Sequence, residues 1–467
     1  MAEDRQTYEI DEAQESQYAR APLIDQEFLN DIMELVDTES QHALVNIFTD
    51  LHPADIAQVI NNLPHRGGKY LFELLPIEVA SETILELSEG VRENLVDELS
   101  SQRISDIVDE LESDDAVDIV SELDDDVAQQ VLRQLSPEDS AELIELMSYD
   151  EESAGGLMGT EFPIVSIDKT VEDAIRSVRD TAEDTEDIYE VLVVDENGAL
   201  SGIVDLKSLL LHRPDVPIKD ILEDDAVSVD VYLDQEEVAH LMRKYDMLTV
   251  PVVDGLNRPV GIITFDDIAD VLHDEAIEDM ERMSGLSDHE EVQSTVFGIA
   301  KSRFPWLLVG FAGEILAAIV LWSFSASIER VIISTFFIPI IMAMGGNCGI
   351  QSSSIVVRGL ATGEIAFTKT FVRLSKEFLS ALISGTALAL LLFGISAFWF
   401  QDYQFGLVVS LALLVVMTNA TLVGSTVPLI LNKFGVDPAI ATGPFITTTN
   451  DALGLFIYLA FLTLIYL

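Results

Sequence analysis

A single cysteine, Cys348, occurs among 467 residues. No disulfide can close within one chain, which suits a soluble part exposed to a reducing compartment. All seven histidines lie before residue 296. With one thiol and no imidazole, the remainder has few soft ligands for zinc or copper, and its oxygen ligands suit hard cations. Basic residues are scarce: 25 Lys and Arg stand against 82 Asp and Glu, a formal charge of −57. So acidic a chain carries no nucleic-acid footprint. No Gly-x-x-x-x-Gly-Lys-[Ser/Thr] loop occurs, which argues against pumping by ATP hydrolysis. With no metal-binding His pair and no Ser-His-Asp candidate, the chain is not expected to be an enzyme. The acidic start, Met1-Ala-Glu-Asp, predicts no secretory signal peptide.

Charge is also unevenly spread. Residues 296–467 hold only 7 of the 82 acids and 8 of the 25 bases. An acidic soluble body therefore precedes an almost uncharged apolar one. An anionic body joined to a membrane body suggests that something cationic is handled at the bilayer. Adaptation to high salt is the alternative source of solvated surface acids, but it does not explain acids gathered at domain junctions.

Residues 1–22 read as a flexible lead. Leu51, Leu63, Leu75, Leu87, Leu99, Leu111, Leu123 and Leu135 then recur every 12 residues, and Met147 continues the series. Three and four positions earlier lie pairs such as Val59/Ile60, Leu71/Phe72, Ile107/Val108 and Leu143/Ile144, with Thr83 the one polar member. Apolar residues at i−4, i−3 and i mark one face of a short helix. Residues 23–150 are therefore expected to be an acidic superhelix of short stacked helices. Near residue 157 the pattern changes. Val191 to Asp195 and Val250 to Asp254 are strand-like and precede Gly202-Ile-Val and Gly261-Ile-Ile-Thr264. This is a β–α duplication over 151–215 and 216–272, followed by an acidic helical connector over 273–300.

Residues 301–467 contain five apolar segments, at about 304–324, 331–357, 378–400, 405–431 and 438–467. The first, as a helix, would span about 31 Å, enough for a hydrocarbon core. If the segments alternate, Lys301, Arg303, Arg358, Lys369, Arg373, Lys376 and Lys433 share one side, and only Arg330 lies on the other. The positive side is cytoplasmic. The acidic half is thus expected in the cytoplasm and the C-terminus outside a multi-pass cell (inner) membrane protein. Residues 358–376 are expected to lie along the inner surface as an amphipathic segment.

Two carboxylates fall deep in these segments, Glu314 and Asp451. An acid there is costly unless it faces a wet cavity or a partner. Three Thr and Asn450 precede Asp451, a density of oxygen that points to a pore or site lining. Glu314 is open between an interhelical contact and ion handling. Gly345-Gly346-Asn347-Cys348-Gly349 can expose backbone carbonyls to a cavity and pack helices tightly, and packing around a pore needs both. Thr418, Asn419 and Thr421 are open between lining and interhelical bonding.

These residues together resemble the MgtE-type magnesium channels and transporters. The likeness is strongest in Gly345-Gly346-Asn347, in Arg358-Gly-Leu-Ala361, around Asp451 and in Gly155-Gly156-Leu157-Met158. It implies a multi-domain membrane protein: an N-terminal α-helical superhelix, a tandem cystathionine-β-synthase-type (CBS) α/β pair, a connecting plug helix and a five-helix transmembrane domain. It implies a homodimer in the lipid bilayer with a pore on the two-fold axis. Asp451 matches the family's pore aspartate, with Gly345 and Asn347 beside it as pore Mg2+ residues. Mg2+ loses its waters reluctantly, so two carboxylates can hold it through its own hydration shell.

The resemblance also implies regulatory Mg2+ sites at Glu82, Asp114 and Asp118 of the superhelix, Asp246, Asp267 and Asp270 of the second CBS module, and Glu275, Glu278 and Asp279 of the connector. Thr264 and Asp267 fit its nucleotide turn, so ATP or another adenine nucleotide is a second expected ligand. The first module departs there, with Asp205 and Ser208. The expected function is a Mg2+-selective channel running down the electrochemical gradient and closed by cytosolic Mg2+. A secondary transporter of Mg2+, Co2+ or Mn2+ coupled to a counter-ion is the alternative, and a non-transporting membrane sensor is a third reading.

Overall fold

The computed structural model describes residues 24–49, 51–182, 185, 188–286, 296–361, 370–441 and 443–467. The expected flexible lead, part of the connector and the middle of the 358–376 segment lie outside these residues. The chain forms two compact units, up to Leu272 and from His273 onward.

The first unit begins with ten helices among the described residues, α1 to α10, from Gln26–Asp37 to Pro137–Leu146. The 12-residue period sets their length, because each helix is cut short by a cap. Pro53 opens α3 (Pro53–Asn62), and Pro137 opens α10 under the Ser136 hydroxyl, which accepts from Glu138 N and Asp139 N at 3.2 Å each. Helices two apart pack on each other: α3 on α5 (Ile77–Leu85), α5 on α7 (Ser101–Val108), α7 on α9 (Asp125–Leu132). The expected stripe is the core. Val59, Ile60, Leu71, Phe72, Ile107 and Val108 are buried. Thr83 is buried as well, because its hydroxyl donates to Val79 O at 2.6 Å within its own helix. The pattern frays at the end of α10, where Ile144 and Met147 are exposed.

The duplication follows. In its first copy β1 (Ile164–Ser166) pairs parallel to β2 (Glu190–Val194), and β2 pairs antiparallel to β3 (Leu200–Asp205). Helices α11 (Val171–Thr181) and α12 (Leu206–Leu211) accompany them. The second copy repeats this with β4 (Val229–Asp230), α13 (Gln235–Tyr245), β5 (Thr249–Val253), β6 (Pro259–Thr264) and α14 (Phe265–Ser284). Both sheets even share a register shift, at Val193/Val194 and at Val252/Val253. The second copy joins the superhelix core through Val250, Val252, Ile263 and Ile268, whereas the first keeps its own core around Val191, Val193 and Val204. Superhelix and second copy are therefore one packed body.

The second unit holds five helical segments long and apolar enough to cross a membrane. They are built on α15 (Val296–Ser323), α17 (Ile338–Ala361, entered through a 3-10 segment), α18 (Thr370–Phe400), α19 (Tyr403–Lys433) and α20 (Gly443–Phe461, continued by a π-type turn). The short α16 (Ser325–Arg330) follows α15. Helix α19 is the hub, packed on α17, α18 and α20. Helix α15 rests mainly on α20 and is otherwise exposed. The expected surface-lying segment is a point of difference. Residues 358–361 end α17 and 370–376 begin α18, so the described parts continue the spanning helices. Their long basic side chains can carry charge to the interface from a helix that still spans.

Candidate functional site

Asp451 sits two turns into α20 and is 7 % exposed, inside the bundle of one chain and not on an outer face. Its carboxyl group lies beside that of Glu314 on α15, close enough for the two charges to act on each other. Asn450 beside it is 2 % exposed, and neither atom of its amide has a partner among the described residues. Glycine makes room for both. A side chain at Gly349 of α17 would run into the Asn450 amide and come within 2.8 Å of Ile446, and one at Gly424 of α19 would come within 3.0 Å of Gly349 Cα. Three helices thus meet almost backbone to backbone at the level of the acid.

Some other polar residues of the spans bond only within their own helix. Thr418 donates to Leu414 O at 2.8 Å, Thr448 to Phe445 O at 3.1 Å and Ser425 to Thr421 O at 2.8 Å, so these hydroxyls are satisfied within their own helices. On α17, by contrast, Asn347, Gln351 and Arg358 are exposed, with Ser354 half-buried between them. Spacings of 4, 3 and 4 put all four on one face of the helix. Gly345 is buried against Val416 of α19, with a Cβ position only 3.1 Å from Cγ1, so it serves packing.

The connector's acids lie on α14. Asp279 is pushed up to about 6 by burial first, then by the charges of Asp437 and Glu275. Glu278 pairs with Arg282, whose guanidinium also donates to Asp437 Oδ2 at 2.7 Å. Asp437 lies just before a 3-10 turn at Ala439–Ala441, ahead of α20, and its Oδ1 accepts from Ala439 N at 2.7 Å. A Cβ on Gly443 would stand 2.9 Å from Met283 O, so the end of α14 crosses the start of the Asp451 helix at a glycine. Asp437 was missed by sequence reasoning. The available signal was a lone acid in a short loop on the basic side of the membrane.

A second group of acids gathers where the superhelix meets the second β–α copy. Asp114, Asp115 and Asp118 lie on α8 (Ser113–Ser121), opposite Asp267 at the start of α14. Burial, then the charge of Asp267, pushes Asp114 well above the usual range and Asp115 to about 7. Asp118, which still reaches solvent, rises to about 6 through its packed surroundings against the pull of Arg92. Asp267 rises to about 6 through burial, opposed by hydrogen bonds from Thr264. Among the described residues no three His, Cys, Asp or Glu side chains form a ready coordination shell. The carboxylates stand close enough for their charges to repel one another. Asp270 and Glu275 lie farther along α14. Glu82 is exposed on α5, and Asp246 is exposed at the left-handed end of α13 (φ 54°).

Thr264 donates its hydroxyl to Asp267 Oδ2 at 2.5 Å and its N–H to the same atom at 3.2 Å. The expected nucleotide turn is thus also the cap of α14. Across β5–β6, Thr249 stands opposite Thr264, and the first copy has Glu190 opposite Asp205 in the equivalent place. Glu190 bonds to Thr249, leaves Oε1 buried without a partner among the described residues, and is pushed up to about 7 by burial.

Comparison with known proteins matches residues 51–152 to the MgtE intracellular N domain, 154–215 and 218–274 to CBS domains, and 338–461 to the divalent cation transporter MgtE. The chain is 37 % identical to the magnesium transporter MgtE of Enterococcus faecalis, over 91 % of this chain and 94 % of that one. It is 33 % identical to the Bacillus subtilis transporter of the same name, over 90 % and 93 %. The cytosolic domain of the Mg2+ channel MgtE, crystallised in complex with ATP, covers 52 % of this chain and 99 % of its own at 34 % identity and a TM-score of 0.50. With a helical N domain, a CBS pair and five membrane-length helices in this order, the chain belongs to the MgtE family of magnesium transporters.

Proposed function

We propose that this chain is a passive, Mg2+-selective channel, working as a homodimer in the cell membrane with its acidic half in the cytoplasm and its C-terminus outside. Residues 301–467 form the pore domain, 23–150 the acidic domain, 151–215 and 216–272 the CBS modules, and 273–300 the connector. The observation that carries this reading is the exposed polar face of α17, with Asn347 and Gln351, on a helix packed against the one that bears Asp451. Amide side chains in an apolar span do not face lipid. A second copy and a water-filled path account for them together.

Asp451 lies where a hydrated dication would pass, and its charge selects for valence while the glycine crossing keeps the helices fixed. Regulation rests on the two acidic groups. Asp114, Asp115, Asp118 and Asp267 repel one another across the junction of superhelix and second CBS module. Asp279, Glu275 and Asp437 do so between connector and loop. Bound Mg2+ supplies the positive charge that offsets this repulsion and so stabilises the closed arrangement. A ligand that binds the closed state better shifts the population toward it. The CBS pair is a site for an adenine nucleotide, as in the ATP complex of the relative, with Thr264 and Asp267 at the turn.

Uptake into proteoliposomes tests conduction. With a potassium diffusion potential and no opposing ion gradient, wild-type protein should accumulate Mg2+, and Asp451→Ala should be slower by roughly tenfold or more, having lost one carboxylate per protomer. Equal uptake by both would overturn the pore reading. Uptake only with an opposing gradient would favour counter-ion coupling.

A further inference from the structure

Glu314 occupies the interior of a helix that is otherwise apolar in its surroundings. It is exposed on α15, between Phe311 and Ile315, which are exposed as well. Its side chain is too short to reach either end of a 28-residue helix. No Lys or Arg among the described residues forms an ion pair with it. A carboxylate so placed cannot be left to lipid.

The crossing of α15 with α20 fixes where it points. A Cβ on Gly313 would collide with the Thr448 side chain, so the helices approach closely there. One residue farther along α15 and three along α20, the carboxyl groups of Glu314 and Asp451 stand close enough for each to feel the other's charge. Two carboxyl groups held together in a low-dielectric region are costly to ionise, and a cation lying with them lowers that cost.

We infer that Glu314 is a second carboxylate of the ion path, so that each protomer offers the hydrated cation two anionic groups. This rests on the reading of Asp451 as a pore residue. Mg2+ is held through its waters, and two carboxylates at one level can accept hydrogen bonds from neighbouring water ligands without stripping the shell. Asp451, 7 % exposed, supplies the inner acceptor, and the exposed Glu314 supplies the outer one. A strut between helices would need hydrogen-bonding capacity at position 314 but no charge.

The test uses the full chain in proteoliposomes, with cobalt hexammine, an exchange-inert trivalent cation, as a blocking probe. Glu314→Gln keeps size and hydrogen bonding and removes the charge. It should raise the Mg2+ concentration for half-maximal uptake about tenfold and weaken block about tenfold, with the saturating rate changed by less than about twofold. Half-maximal concentration and block equal to wild type would show a strut and overturn the inference. If Glu314→Gln does not assemble, Glu314→Asp, which retracts the carboxylate by one methylene, decides by its block: weakened supports, unchanged overturns. Asp451→Asn separates the two readings. Its failure to transport beside an unaltered Glu314→Gln refutes the role of Glu314 alone, whereas normal transport by Asp451→Asn refutes the pore assignment beneath it.

Discussion

Glu190 is a carboxylate whose setting, more than its identity, decides its behaviour. Burial and the nearby charges of Asp205 and Glu223 raise it from about 4.5 to about 7, against one hydrogen bond from Thr249. The folded protein therefore holds this proton more tightly than the unfolded chain. The stabilisation is complete below about pH 4.5 and is lost as pH rises through about 7. Hydrogen exchange at β2 and β5 should speed up across that window in wild type by more than in Glu190→Gln, which cannot ionise. Identical pH profiles would show that Glu190 is solvated after all. Single residues of this kind divide sharply in how well the sequence reveals them. Asp451 was legible because an acid inside an apolar run is rare and expensive. Asp115, Glu190 and Asp437 were not, since in an acidic chain a carboxylate on a helix, strand or loop looks solvated until packing shows what covers it.

Elements were more legible than residues. The 12-residue leucine period and its capping residues gave the short helices of the superhelix, because period and cap are local properties of the chain. The duplicated strand pattern revealed β2, β3, β5 and β6 for the same reason, but not the short β1 and β4, which carry too few residues to alternate. The two ends of the expected surface-lying segment belong to spanning helices, because charge density distinguishes an interfacial helix from the ends of spanning ones only weakly. The glycine run reads as serving packing and lining together, and Gly349 packs closely against Gly424 of α19. Gly424→Ala would press a methyl group to within 3.0 Å of Gly349 Cα. Overpacking of that kind costs about 1–3 kcal/mol. The thermal transition of the detergent-solubilised protein should fall, whereas Gly394→Ala, which meets nothing within 4 Å in the chain, should leave it unchanged. Equal transitions for the two variants would show that the α17–α19 crossing yields easily.

At the scale of the whole molecule, the formal charge of −57 lies almost entirely outside the membrane segment. Two of its concentrations are now located, at the junction of α8 with α14 and around Asp279 and Asp437. Each gathers like charges against their mutual repulsion, and under the regulation proposed above each is where cytosolic Mg2+ would act. Salt adaptation accounts for solvated surface acids, not for half-buried ones gathered against each other. Conduction, pore assignment and regulation converge in one recording: inside-out patches carrying wild type or Asp451→Ala, with Mg2+ varied on the cytoplasmic face. Wild-type patches should pass Mg2+ current that falls as cytoplasmic Mg2+ rises, and Asp451→Ala patches should pass little at any concentration. Currents of equal size in both, indifferent to cytoplasmic Mg2+, would contradict the account.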